Sequence, residues 1–513
     1  MKPFLLSERY EDNQQRKIPN ENELIEDLNL QIIFNAMAQE DTFLFNTARS
    51  AVLNSLTDID TIIYRQNVLK DCLNNRSVIK KIYNTAATTL EEAAYYKQYT
   101  QPHYAKVISS TVKVMNSVGL LEILVAKLEE LCSLTRQAEK KFQSKGMDIF
   151  SNQQATYLTD EFFVRVKQRI EELKSISEGG NIVIGSGIGN GMKGTGHILR
   201  RITGNSQRAN SGRKLWRNSV NNVIPLDNIS VANSAREIED AGLIHILRLI
   251  NYFNNGIISF FEALRYEIGF YVGCMNLYSV LSEISTDVSF PVPDKIDERN
   301  LVFEGLFDLS MSVSRKERLV SNDLKAIDKK LFVITGANQG GKSTFLRSIG
   351  IAQILMQCGL FVPAAFYRAN VCDNIFTHFT REEDTNMNSG KLDEELQRMN
   401  DIVNNITGNS LLLMNEPFTT TTERDATRIA MDIIAALFEN NVKILLVTHL
   451  FELSNFIYNQ KLKKAIFLRA ERDENGSRSY CIKMGEPLET SYGEDLFKSV
   501  MLASSSDGGN YGA

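Results

Sequence analysis

Residues 331–358 read LFVITGANQGGKSTFLRSIGIAQILMQC, an apolar run, a glycine-rich turn with a lysine and two hydroxyl residues, and then a long apolar-rich stretch. No other segment limits the fold as tightly. Gly336, Gly341, Lys342 and Ser343 stand at the G-x-x-x-x-G-K-S/T spacing of a phosphate-binding loop, which needs a strand to end where a helix begins. Glycines let consecutive backbone N–H groups wrap a β-phosphate, and the helix N-terminus adds partial positive charge. Gly336, Ala337, Asn338, Gln339, Gly340, Gly341, Lys342, Ser343 and Thr344 are therefore candidate nucleotide-binding residues. Lys342 would neutralise the β/γ oxygens, and Ser343 Oγ would ligate Mg²⁺, with ATP as the nucleotide.

Three further runs, LLLM (411–414), KILLVT (443–448) and AIFLR (465–469), read with LFVIT as buried strands separated by helical stretches. That alternation predicts an α/β domain over 296–502. Upstream, residues 22–176 are poor in proline and repeat apolar residues at three- and four-residue steps, as in Leu121, Leu124, Val125, Leu128 and Leu131. QPHY (101–104) reads as a turn between helices. Helical periodicity returns over 232–284, on one long helix or a broken pair, and FPVPDK then forbids its continuation. The expected fold class is α + α/β. Its parts are an N-terminal segment (1–40), a mostly helical domain (41–295), the α/β domain and a disordered tail (503–513).

LLLMNE carries the second half of the chemistry. Asn415 and Glu416 follow a strand at the carboxyl edge of a sheet, where ligands bind in such folds. Glu416 is the candidate to polarise an attacking water. Asn415 stands where ATP-hydrolysing folds mostly place an aspartate, and it would support Mg²⁺ through a metal-bound water at the loss of a full charge. His449, directly after KILLVT, can contact a γ-phosphate, and the alternative for it is a structurally satisfied histidine.

Residues 179–225 differ from their surroundings: they are rich in glycine and basic residues, which predicts a flexible insert or a small β-rich excursion. Lys193, Arg200, Arg201, Arg208, Arg213, Lys214 and Arg217 are candidate phosphate-backbone contacts, with a solvated loop as the alternative. Any such patch is local, because the net charge is -5. GNGMKG (189–194) fits G-x-G-x-x-G, but no βαβ unit follows it. Six cysteines without regular spacing read as reduced core thiols. The N-terminus lacks the apolar stretch of an export signal, and the expected setting is cytoplasmic, without a membrane.

These residues together resemble the MutS family of DNA mismatch repair ATPases, within the ABC-type ATPases. TGANQGGKSTFLRSIGIAQILMQCGLFVPA (335–364) is similar to that family's phosphate loop and following helix. NIFTHFTREEDTNMNSGK (374–391) resembles the segment leading to its signature loop, and VTHLFELSNF (447–456) its switch-histidine motif. SYGEDL (491–496) looks like the start of its final helix, and LTDIDTIIYRQNVLKDCLNN (56–75) like its helical core. The resemblance runs over residues 41–501 and is specific in the ATPase half.

The resemblance implies a helical lever and core domain feeding a C-terminal P-loop, ABC-type ATPase domain that works as a homodimer. The partner subunit's signature loop would complete each site, through the positions that Ser389, Gly390 and Lys391 occupy here. Residues 336–344 would bind phosphates, Ser343 would hold Mg²⁺, Glu416 would activate water and His449 would sense the γ-phosphate. The basic insert falls where the family has a clamp that closes over DNA. Three features depart from the pattern. No Phe-x-Glu wedge precedes the core, Leu392 and Asp393 replace hydroxyl-bearing signature residues, and Asn415 replaces the aspartate. No Smr-type nuclease domain is read either. The expected function is a slow ATPase that couples nucleotide state to clamping on branched or duplex DNA, in repair or recombination. The alternative is a nucleotide-gated scaffold for a protein partner or the ribosome, with slow or no hydrolysis.

Overall fold

Asp41, Ser144, Thr159, Asp308 and Thr422 each precede a helical run, and each side chain accepts a backbone N–H of the first turn. Local chemistry thus sets where these helices begin. A computed structural model describes residues 1–9, 19–100, 109–138, 141–176, 181–190, 194–203, 229–284, 286–336, 339–380, 390–472 and 478–487. Outside the described residues lie the QPHY turn, Lys193, Arg208, Arg213, Lys214, Arg217, Ala337, Asn338, Ser389, SYGEDL and the tail 503–513.

The chain runs through α1 (Glu21–Asp27), α2 (Leu30–Ala38), α3 (Thr42–Leu53), α4 (Ile59–Asn74), α5 (Arg76–Thr100), α6 (Ser110–Ala138), α7 (Lys145–Tyr157) and α8 (Asp160–Lys174). Strands β1 (Asn181–Ile188) and β2 (Gly194–Thr203) precede the long α9 (Ile229–Glu283). Next come β3 (Val292–Asp294), β4 (Leu301–Leu306), α10 (Leu309–Arg315), β5 (Asn322–Ala326), β6 (Leu331–Thr335) and α11 (Lys342–Cys358). The chain continues through β7 (Phe366–Asn370), β8 (Ile375–Phe379), α12 (Lys391–Asn405), β9 (Leu411–Asn415) and α13 (Glu423–Glu439). It closes with β10 (Lys443–Val447), α14 (Phe451–Asn459), β11 (Ala465–Arg472) and β12 (Arg478–Met484). The described residues form two compact units, one of Met1–Leu5 and Asn74–Gly269, the other of Leu6–Leu73 and the residues from Phe270 onward.

Among the described residues from Asn74 to Gly269, the regular elements of the first unit are helices apart from one hairpin. Ala93 of α5 and Leu120 and Leu124 of α6 bury each other, with Tyr96, Ile257 and Ile258 packed against them. β1 and β2 pair antiparallel, the β-rich option for the insert. Of the G-x-G-x-x-G match, residues 191–193 lie outside the described residues, and Gly194 opens a strand where a dinucleotide loop would open a helix. The periodicity of 232–284 forms one continuous helix.

In the second unit, β6 and β10 are buried at every position, as strands covered on both faces must be. They sit inside a six-stranded sheet ordered β12-β11-β6-β10-β9-β8, parallel except for β12. A second sheet, β3-β7-β4-β5, is mixed. Residues 6–73, which read from sequence as N-terminal segment and helical domain, pack in this unit. Gln357 of α11 donates to Leu56 O (3.0 Å), Arg65 to Leu6 O (2.8 Å) and Asn276 to Met37 O (2.9 Å). The physical reason is α11 itself: Gln353 to Cys358 are all buried, so apolar and polar cover is needed all round it.

Candidate functional site

Three parallel strands end side by side at one edge of the large sheet. Val447 of β10 pairs with Ile334 of β6 on one side and Asn415 of β9 on the other. The residues that follow each strand therefore converge: Gly336, Glu416 and His449. This is the carboxyl edge where ligands of parallel sheets bind.

Gly336 has φ +120°, and a Cβ there would lie 3.0 Å from Ala470 Cβ and from its backbone N, so only glycine fits. Gly341 caps α11 at φ +88°, leaving the first N–H groups of a 17-residue helix facing the loop. Lys342 crosses the loop to donate to Gly336 O at 2.8 Å, and its Nζ stands 3.9 Å from Glu416 Oε1. Burial lowers the Lys342 pKa, partly opposed by the Glu416 charge. A cleft of about 530 Å³ opens here, walled by residues 339–345, Glu416, Met311, Arg315, Val320 and Tyr480. A larger one, about 990 Å³, lies in the helical unit between α6, α8, β2 and α9. Apolar side chains line it together with Arg165, Arg169, Arg200 and Arg201, and none of the sequence-predicted nucleotide-binding or catalytic residues does.

Ser343 Oγ donates to Asn415 Oδ1 at 2.9 Å. With its proton engaged there, the hydroxyl keeps its lone pairs for a cation, and both partners are the hard oxygens that Mg²⁺ selects. Asparagine thus keeps the acceptor that an aspartate would offer and lacks only its charge. The pair fits a magnesium site with one ligating hydroxyl and one supporting carbonyl.

Glu416 is held from both sides. Its N–H donates to Val447 O (2.9 Å), its C=O accepts the Thr380 hydroxyl (2.5 Å), and its φ is +52°. Its Oε2 stands 3.7 Å from His449 Nδ1. His449, then burial acting in opposition, then Lys342 set its pKa, with a net lowering. Glu416 in turn raises the pKa of His449 against the effect of burial. A carboxylate so placed stays ionised and is suited to orienting a water rather than to storing a proton.

Gly390 caps α12 and Lys391 opens it. Arg200 and Arg201 lie exposed on β2. Sequence reasoning missed Thr380, Tyr480 and a buried group beyond Glu416. There, Glu395 of α12 accepts the Phe418 N–H at 2.6 Å and the Thr420 hydroxyl at 3.2 Å, with His378 Nε2 at 3.4 Å. Only the apolar pair Ile375 and Phe376 before His378 hinted at β8. Among the described residues no helix is long and apolar enough to cross a membrane.

Comparison with known proteins matches two successive stretches of the chain. The model of the MutS2 N-terminal domain matches residues 57–284, and that of MutS domain V matches residues 332–504. The chain is similar to the DNA mismatch repair protein MutS of Clostridium botulinum (strain Eklund 17B / Type B), with 32% identity over 221 residues, 40% of this chain and 22% of that protein. With the DNA mismatch repair protein MutS of Thermus aquaticus it shares 29% identity over 235 residues, 46% of this chain and 28% of that one. The match thus spans about a quarter of the length of these curated relatives. Helical half and sheet half are each matched by a domain of one family, in the order in which they follow one another here: the chain belongs to the MutS family.

Proposed function

We propose that this protein binds and slowly hydrolyses ATP at the edge of β6, β10 and β9, and uses the nucleotide state to clamp DNA. The observation that carries the reading is the hydrogen bond from Ser343 to Asn415 beside a Glu416 carboxylate held between Lys342 and His449. Residues 336–344 would hold the triphosphate through backbone N–H groups, with Lys342 turning from Gly336 O to the β/γ oxygens. Ser343 would ligate Mg²⁺ and Asn415 would support it, and the ion would neutralise charge shared by the β- and γ-phosphates. Glu416 would orient a water for in-line attack on the γ-phosphorus. ADP then leaves with the bridging oxygen, and inorganic phosphate carries the water oxygen. His449, beside the carboxylate oxygen of Glu416 that Lys342 does not face, would register the γ-phosphate by contact. In this reading 296–502 is an ABC-type ATPase domain, and two copies pair so that Gly390 and Lys391, with Ser389, reach the partner's nucleotide.

DNA is the proposed polymer because the relatives this chain resembles are named for DNA mismatch repair, and Arg200 and Arg201 are exposed on the hairpin. Branched or duplex DNA is favoured over single mismatches. The test is a binding panel over duplex, branched and mismatched DNA and structured RNA, with and without ATP, across a salt series. Binding of branched or duplex DNA that weakens steeply with salt and changes with ATP supports the reading. Absence of binding to every nucleic acid at low salt, with protein partners retained after nuclease treatment, would replace it with a nucleotide-gated scaffold.

A further inference from the structure

Glu416 is followed by Pro417 and Phe418, and both Glu416 (φ +52°) and Phe418 (φ +63°) sit in the left-handed region. Two non-glycine residues in that region flanking a proline do not hold there unaided, so the surroundings must impose the conformation. The surroundings are specific. Phe418 is fully buried, its N–H ends on Glu395 Oε1 at 2.6 Å, and its ring lies 5.6 Å from that of His378. Glu395 Oε2 takes the Thr420 hydroxyl at 3.2 Å, and His378 Nε2 faces Oε1 at 3.4 Å. The His378 and Glu395 side chains are 0% and 3% exposed, so a bare carboxylate there would be strongly disfavoured. Burial does press Glu395 towards its neutral form, yet His378, the Phe418 N–H and Thr420 outweigh it and hold the carboxyl below its ordinary range.

We infer that Glu395 is a positioning residue for Glu416. Its buried carboxylate clamps the backbone just past the catalytic carboxylate to α12, the helix that begins at Lys391. The assignment rests on the ATPase reading above and adds a part to it. Glu395 does not line the cleft beside the glycine-rich loop. It acts by fixing residues 416–418, so that a shift of α12 becomes a shift of Glu416. Helix α12 and the catalytic glutamate are then mechanically one piece.

The test uses two conservative variants of the full chain. Glu395→Gln loses the charge but keeps an acceptor at the reach of the Phe418 N–H, whereas Glu395→Asp keeps the charge and withdraws it by one methylene. Positioning predicts that E395Q turns over ATP within about three-fold of wild type, while E395D loses about ten- to hundred-fold in kcat, the scale of an ångström-level misplacement. The dissociation constant for ATP should stay within about three-fold in both, since the phosphate loop is untouched. The reverse order, with E395D active and E395Q impaired, would mean that the pair with His378 matters for charge alone, and would overturn the inference. Equal wild-type rates in both, or loss of nucleotide binding in either, would overturn it as well. Wild-type turnover is measured first: its absence refutes the ATPase reading itself, and the positioning role falls with it.

Discussion

Replacing Asn415 by aspartate asks what the missing charge does. Ser343 Oγ lies 2.9 Å from Asn415 Oδ1, and a magnesium ion ligated by that hydroxyl would stand about 2.1 Å from it. The new carboxylate oxygen would then be within about 5 Å of the ion. A unit charge facing a divalent one at that distance gains about 2 kcal/mol in water and about 7 kcal/mol at an effective dielectric of 20. Asn415 is half-buried, and the added charge adjoins Glu416, so desolvation and repulsion offset much of this. A net of roughly 1.5–3 kcal/mol lowers the Mg²⁺ concentration for half-maximal activity about ten- to hundred-fold. At saturating Mg²⁺, kcat should stay within about three-fold of wild type, because Lys342, Glu416 and His449 keep their places. The assay is steady-state ATP turnover across a Mg²⁺ titration. An unchanged half-saturation refutes the placement of Asn415 beside the metal. A kcat more than about ten-fold higher at saturation would instead show a decayed site, against the reading of a working one.

Glu416→Ala should lower turnover by about 10²- to 10⁴-fold with ATP affinity little changed; equal rates would remove Glu416 from the mechanism. The Glu416–His449 pair also makes stability depend on pH. His449 has a raised pKa in the fold, so its contribution is complete below the ordinary histidine value and fades as pH rises through the raised one. Glu416 has a lowered pKa, so its contribution is complete above the ordinary carboxylate value and fades only as pH falls through the lowered one. Melting temperatures should therefore fall from weakly acidic to mildly alkaline pH, and His449→Gln should flatten that slope; an unaltered slope contradicts the pairing. Gly359 ends α11 at φ +85°, and a Cβ there would lie 2.5 Å from Arg65 Cβ and 3.2 Å from Ile62 O. Gly359→Ala should destabilise the protein by about 2–4 kcal/mol through strain and overpacking, read as an earlier urea transition; a change below about 0.5 kcal/mol would show that the helix end can shift freely.

Much of the site was legible because it is local. LFVIT, the glycines and the helix after them are contiguous, and short-range sterics dictate a strand, a turn and a helix start. LLLM, KILLV and AIFLR were legible as strands because full burial on two faces demands unbroken apolar runs. The second sheet was not, since VPD, NDLKA and FYRAN are only three to five residues long, too short for any alternation in them to stand out from a loop. Glu395 was equally silent: it is one of three consecutive acidic residues, and only packing buries it and leaves Asp393 and Glu394 partly or fully exposed.

By itself the sequence determined that the four unbroken apolar runs are strands, where several helices begin, and that a glycine-rich stretch falls between one of those strands and a helix. Those choices depend on backbone sterics, capping and the spacing of apolar side chains, all within a few residues. The tertiary structure alone decided that β10 lies between β6 and β9, and so that Lys342, Glu416 and His449 meet. Strand order is a matter of hydrogen bonds between segments far apart in the chain. Nothing in the local pattern of any one strand records its neighbour.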